Sequence, residues 1–270
     1  MSEASREGAP LAGRCVAVTR SEDAAGDLCR RLEEAGARVL SIPAIRHLGI
    51  ADRAPLRAAL ERAATATHLV FTSPQAVRFF LEEAAKEGWE AGRWRSIQVA
   101  AVGEGTAAAL EKYGLRAEVT SRGQGAEALA RTLIDVDRVG RGSRVILPQS
   151  AIARPELRQA LEAAGAAVDA IDVYQTLSGD PSRARPFLDA LDAGTPPDAI
   201  TFSSPSTIRG FLDMTGDRGR AALAGGLVRI VSIGPTTSAA IRGEGLEVAA
   251  EAKTPSARAL AEAVIAALRG

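Results

Sequence analysis

The chain has 270 residues with 33 Lys plus Arg against 33 Asp plus Glu, so it lacks the basic surplus of a nucleic-acid binder, and any anionic ligand must be met by local arrangement. Its 46% hydrophobic and 24% charged residues are those of an ordinary globular protein. No run approaches the roughly 18 apolar residues that span a bilayer, and the opening residues Met1 to Pro10 lack the apolar core of a signal peptide.

Residues 1–12 read as a disordered tail. The β-branched run Arg14 to Thr19 then forms a strand that breaks at Arg20 and Ser21, and Leu28, Leu32 and Ala35 keep helical spacing up to Gly36. A second strand, Arg38 to Ile42, leads into an extended segment, Pro43 to Leu48. The two cysteines, Cys15 and Cys29, fall on this strand and helix and read as buried thiols. With only His47 and His68 beside them and no Cys-x-x-Cys, no metal site is expected.

A different pattern follows. His68 to Phe71 is a strand running into Thr72, Ser73 and Pro74, and Val99 to Val102 is a strand running into Gly103, Glu104, Gly105 and Thr106. The first pattern returns as the strand Arg144 to Leu147, the helix Glu156 to Ala164 before Gly165, and the strand Ala167 to Ile171, again with an extended continuation, Asp172 to Leu177. The second returns 131 positions after its first appearance: Ala199 to Phe202 before Ser203, Ser204 and Pro205, then Ile230 to Ile233 before Gly234, Pro235, Thr236 and Thr237. Gly114 matches Gly245 and Leu129 matches Leu260 at the same offset. Two α/β pieces are therefore duplicated in alternation. Strands alternating with helices mean parallel sheets with right-handed crossovers. Spacing leaves open whether the pieces pair in tandem or exchange partners.

In open parallel sheets ligands bind beyond the carboxyl ends of the strands, where turns lead into helix N-termini. That selects Arg20 and Ser21, Thr72 to Pro74, Gly103 to Thr106, Gln149 and Ser150, Ser203 to Pro205, and Gly234 to Thr237. A Ser before Pro is also what an N-cap and first helical residue look like, without any ligand. The same free N–H groups can hold a carboxylate. Gly103, Gly105 and Ala108 match a dinucleotide fingerprint, but the duplicate carries Thr236 where Gly105 stands, and Glu104 would face a pyrophosphate. Tyr174, one of two tyrosines, lies in the second extended segment; a phenol stays protonated at neutral pH and can donate to a leaving hydroxyl, or can simply anchor a junction. Trp89, Trp94 and Tyr113 read as packing residues.

Through Val18 to Arg20, Phe71 to Pro74, Ala101 to Gly103, Val173 to Thr176, Phe202 to Pro205, Ser232 to Thr237, and Pro255 before a last helix, the chain resembles the uroporphyrinogen-III synthase family over about residues 14–266. The resemblance implies two doubly wound α/β parallel-sheet domains of interleaved composition joined by two linker strands: residues 13–42 with 178–270, residues 50–170, and linkers 43–49 and 171–177. It implies closure of the linear tetrapyrrole hydroxymethylbilane with inversion of the last ring and loss of water, in a cleft between domains, without cofactor or metal. Tyr174 becomes the catalytic residue, and Thr72, Ser73, Gly103, Thr106, Ser204, Gly234, Thr236 and Thr237 the substrate-binding ones, to which Arg20 and Arg154 are added as side-chain cations. Gln149 and Ser150 stand where family members often carry a Gly-Asn turn. The expected protein is a cytoplasmic monomer acting on a small molecule, with no nucleic-acid or membrane partner. A non-catalytic tetrapyrrole-binding regulator and a dinucleotide-binding protein are the alternatives.

Overall fold

The computed structural model describes residues 8–121 and 125–269. Of the expected tail, residues 1–7 lie outside the described residues. Residues 8–12 enter the fold: the Leu11 side chain is fully buried and its N–H donates to the Ala35 carbonyl at 2.9 Å.

Along the chain come β1 (Cys15–Val18), α1 (Glu22–Glu34), β2 (Arg38–Ser41), β3 (Ile45–Gly49), α2 (Ala54–Arg62), β4 (His68–Phe71), α3 (Pro74–Lys86), β5 (Gln98–Ala101), α4 (Gly103–Glu111), β6 (Val119–Thr120) and α5 (Gly125–Asp135). They are followed by β7 (Arg144–Ser150), α6 (Glu156–Ala163), β8 (Ala167–Ser178), α7 (Arg185–Asp192), β9 (Ala199–Phe202), α8 (Pro205–Ala224), β10 (Arg229–Ser232), α9 (Pro235–Gly243), β11 (Ala250–Glu251) and α10 (Ala257–Arg269). The protein is α/β, with two sheets and two compact units. One unit takes the chain up to Arg46 and from Leu177 onward, and the other takes His47–Thr176.

The first unit holds a parallel sheet in the order β11-β10-β9-β1-β2. Side chains alternate across it. Val16 and Val18 pack with Leu28 and Leu32 of α1 and Leu260 and Val264 of α10, while Ala17, Ile200 and Phe202 face Phe211 of α8 and Ile241 of α9. The second unit holds the order β3-β8-β7-β4-β5-β6. Val70, Val145 and Leu147 pack on α5 and α6, and Leu69, Phe71 and Ile146 on α3 with Trp94. Each fully buried Leu or Phe contributes roughly 1.5–3 kcal/mol relative to exposure.

The segments 43–49 and 171–177 include β3 and the C-terminal part of β8. Ile50 N–H donates to the Val173 carbonyl, and His47 meets Thr176. One number rises as the other falls, so β3 is an antiparallel edge on an otherwise parallel sheet.

The two units have one strand order. β2-β1-β9-β10-β11 superposes in sequence pattern on β8-β7-β4-β5-β6, with the chain running through the pieces in a different succession. The first piece repeats after 129 positions, Gly13 with Gly142, Val16 with Val145, Leu28 with Leu157, Leu32 with Leu161 and Gly36 with Gly165. In each sheet the order reverses beside the strand that opens this piece, between β1 and β9 and between β7 and β4. Those are the switch points at which ligands of open α/β sheets bind.

Candidate functional site

The two switch points differ in how far their central strands stay paired. In the first unit β1 and β9 pair at Val16–Ala199, Ala17–Ile200 and Val18–Thr201. Side chains then stitch the seam: Thr19 Oγ1 donates to the Thr201 carbonyl at 2.6 Å and Thr201 Oγ1 to the Ala17 carbonyl at 3.3 Å. In the second unit β4 and β7 pair only at His68–Val145 and Leu69–Ile146. By the repeat, Pro148 stands where the first unit has Thr19, and Val70 where it has Thr201. Proline brings no N–H to a ladder and neither side chain carries a hydroxyl. A bulge at Gln149 and Ser150 then shifts the β7–β8 register so that Ser150 faces Tyr174. The strand ends part, and a cavity of about 230 Å³ opens between them.

Thr72, Ser73, Ala126, Leu147, Gln149, Ser150, Ala153, Arg154, Leu157 and Tyr174 line it. The N-termini of α3, α5 and α6 thus border one cavity, each bringing the positive end of a helix dipole to it. Ser73 is the N-cap of α3, its Oγ accepting from Ala76 N–H at 3.1 Å. The same Oγ lies 3.2 Å from Tyr174 Oη, long for a pair of hydroxyls, so a ligand oxygen can compete for the phenol proton. Gln149 Nε2 donates to the Asp172 carboxylate at 3.0 Å, and Ala151 N–H to the Tyr174 carbonyl at 2.9 Å, which fixes the loop over the cavity. Arg154 is exposed, with no carboxylate partner among the described residues.

Tyr174 is 7% exposed. Its ring stacks on Phe79 at 5.5 Å between centroids and 13°, and meets His47 edge-on at 5.4 Å and 86°. Sequence reasoning singles out Tyr174 but neither ring partner. The available signal is scarcity: aromatics are 4% of the chain, and Phe79 stands where the repeat has Gly210.

The remaining expected residues distribute as follows. Gly103 opens α4 in the left-handed region (φ 74°) and is exposed, whereas Thr106 is 3% exposed; neither lines the cavity. In the first unit Ser204 caps α8 in a reciprocal box with Thr207, and its Oγ lies 2.8 Å from Ser206 Oγ. Gly234 is the N-cap of α9; Thr236 is exposed and Thr237 buried. Arg20 follows β1, half-buried, close enough to Cys29 for its charge to oppose the rise that burial gives that thiol. The structure therefore brings Thr72, Ser73, Arg154 and Tyr174 together on one cavity and places Arg20, Ser204, Gly234, Thr236 and Thr237 at strand ends of the other unit. Among the described residues no cluster of His, Cys, Asp or Glu has the makings of a metal site, and no helix is long and apolar enough to cross a membrane.

The family profile described as uroporphyrinogen-III synthase HemD matches residues 26–262. A putative uroporphyrinogen-III synthase of Methanothermobacter thermautotrophicus is 32% identical over 235 residues, 86% of this chain and 90% of that protein. The chloroplastic uroporphyrinogen-III synthase of Oryza sativa is 28% identical over 267 residues, 94% of this chain and 80% of that protein. Among solved structures, a mutant uroporphyrinogen III synthase from Thermus thermophilus matches with a TM-score of 0.62 at 21% identity, covering 95% of this chain and 99% of that one. A uroporphyrinogen-III synthetase from Helicobacter pylori matches with a TM-score of 0.62 at 17% identity, covering 94% and 99%. At those identities the structural likeness bears on the fold alone.

Proposed function

The chain belongs to the uroporphyrinogen-III synthase family, cyclising lyases of tetrapyrrole biosynthesis, and from that premise we propose that the cavity at the second unit's switch point holds the reacting end of hydroxymethylbilane. The observation that carries this is Tyr174 at the wall of a cavity bordered by three helix N-termini, its phenol 3.2 Å from Ser73. At about 230 Å³ the cavity is smaller than the sites that enclose whole drug-sized ligands, so it takes a ring and its arms rather than the whole tetrapyrrole.

The substrate's hydroxymethyl group leaves readily, because the pyrrole nitrogen stabilises the cation left behind. Closure without an enzyme gives the uninverted isomer. The protein's task is therefore to hold the last ring so that its substituted carbon attacks the methylene and a spiro intermediate forms. Tyr174 donates its proton to the departing hydroxyl, and Ser73 holds the phenol until that oxygen arrives. Thr72 and Arg154 with the N–H groups of α3 and α6 take carboxylate arms. Ser204, Gly234, Thr236 and Gly103 are the further carboxylate-binding positions that the family resemblance suggests, with Arg20 added for its charge; Thr106 and Thr237, which the resemblance also suggests, are buried and take no arm by their hydroxyls. No cofactor enters this scheme. The protein acts as a cytoplasmic monomer.

The test is to supply hydroxymethylbilane and separate the products by chromatography. The inverted, type III isomer is expected. Type I alone would reject the reading, and the tetrapyrrole-binding regulator would take its place. Tyr174→Phe is expected to slow closure by roughly 10-fold to 10³-fold, and wild-type turnover would leave Tyr174 a packing residue.

A further inference from the structure

We propose that His47 is a positioning residue for ring closure, holding the Tyr174 phenol at the cavity by packing a second ring against it at right angles to the Phe79 stack. The proposal rests on Tyr174 as proton donor and goes beyond it by adding a residue from another strand that is not among those lining the cavity.

Tyr174 sits on β8, and nothing covalent fixes its side-chain torsions. Three contacts do. Phe79, on α3, stacks on the ring at 13°; His47, on β3, meets it at 86°; and Ser73, the cap of the same helix α3, lies 3.2 Å from the hydroxyl. Stacking alone allows a ring to slide in its plane, because an offset pair has a shallow minimum. An edge contact from a second direction removes that freedom. His47 can supply it because it is itself held: Nδ1 lies 3.2 Å from Thr176 Oγ1, two residues along β8 from Tyr174 and so on the same face of the strand. His47 and Thr176 form a cross-strand pair beside the tyrosine. The antiparallel strand β3 thereby has a task in the chemistry. It delivers the second ring of a clamp that α3 half builds.

The repeat supports a specific use. Where α3 carries Phe79, α8 carries Gly210, and where β8 carries Tyr174 the first unit has Ile45. There the chain closes the space with backbone: a Cβ on Gly210 would lie 2.0 Å from the Ala44 carbonyl oxygen. The architecture thus does not dictate an aromatic trio at this place, since the first unit closes without one; in the second unit the rings take the space that backbone fills in the first.

The experiment compares His47→Leu, His47→Phe, Tyr174→Phe and the double variant His47→Leu/Tyr174→Phe in the full chain, by kcat, KM, type III to type I ratio and melting temperature. The expectation is that His47→Leu lowers kcat by roughly 10-fold to 10²-fold with KM unchanged and raises the share of type I. His47→Phe, which keeps a ring, recovers most of the loss. The double variant is no slower than Tyr174→Phe, because the two residues act as one device. Multiplying effects, an unrecovered His47→Phe, or a wild-type His47→Leu beside a slow Tyr174→Phe would overturn the role of His47 and leave Tyr174 standing. Wild-type turnover in Tyr174→Phe would overturn the reading beneath it, and the clamp with it. Should His47→Leu not fold, His47→Phe against His47→Asn gives the same contrast of ring against no ring.

Discussion

Arg154 stands exposed at the cavity wall with no carboxylate of its own among the described residues, so its charge is available to a ligand carboxylate but shared with solvent. An exposed pair of that kind is worth about 0.2–1 kcal/mol. Arg154→Ala should therefore raise KM by no more than about 5-fold at low salt, and the difference from wild type should vanish as ionic strength rises; a difference that persists in high salt would mean that the guanidinium is packed rather than merely charged. His68 is the opposite case. It is buried at the start of β4, where desolvation lowers its pKa below the ordinary 6.5 while Asp137 and Gln98 pull the other way. The folded state holds it neutral, and unfolding frees it to protonate. Its contribution to stability is complete above the unfolded value and is lost as pH falls through about 6.5 toward the lower folded value. Thermal unfolding between about pH 7.5 and 5.5 should show a decline that His68→Gln flattens; an equal slope in both proteins would remove His68 from the account. Tyr174 is legible from sequence as a rare phenol in an extended segment. Its burial is not legible, because that depends on Phe79 and His47, which reach it from other elements.

At the level of elements, the clearest test lies where α8 meets the segment after β2. A Cβ on Gly210 would meet the Ala44 carbonyl at 2.0 Å, and one on Gly179 the Pro43 carbonyl at 2.1 Å. Backbone cannot rotate away, so Gly210→Ala should cost about 1–3 kcal/mol or more in urea unfolding. Gly243→Ala at the end of α9, where a Cβ meets nothing within 4 Å, should be neutral or slightly stabilising. Equal effects would mean that the close approach is not what matters. The strands and turns of the fold can be read from sequence because parallel strands are short apolar runs ended by Ser-Pro or Gly, and the duplication says each thing twice. The cavity cannot be read in the same way. It follows from Pro148 and Val70 standing where Thr19 and Thr201 zip the other unit, a difference of hydrogen bonding that has meaning only once the strands are aligned across the sheet. Thr106 and Thr237 show the converse: a hydroxyl in a turn motif invites a ligand role, and burial within the first helical turn withdraws it from solvent.

For the molecule as a whole, His47–Thr176 is one continuous stretch with two core clusters of its own, whereas the other unit needs two separated stretches. A fragment of residues 44–178 should therefore unfold cooperatively in urea with a slope proportional to its own buried surface, and a broad transition without cooperativity would show that it depends on the rest. The shared strand order with exchanged chain succession has a further consequence at the ribosome. A nascent chain releases β1 long before β9, its neighbour, while β4 to β6, built to the same pattern as β9 to β11, emerge in between. For that interval β1 faces a decoy. Delivery of β7 and β8 takes β4 into its own sheet, so slower translation across residues 120–170 is expected to lower the share of chains that reach the native state.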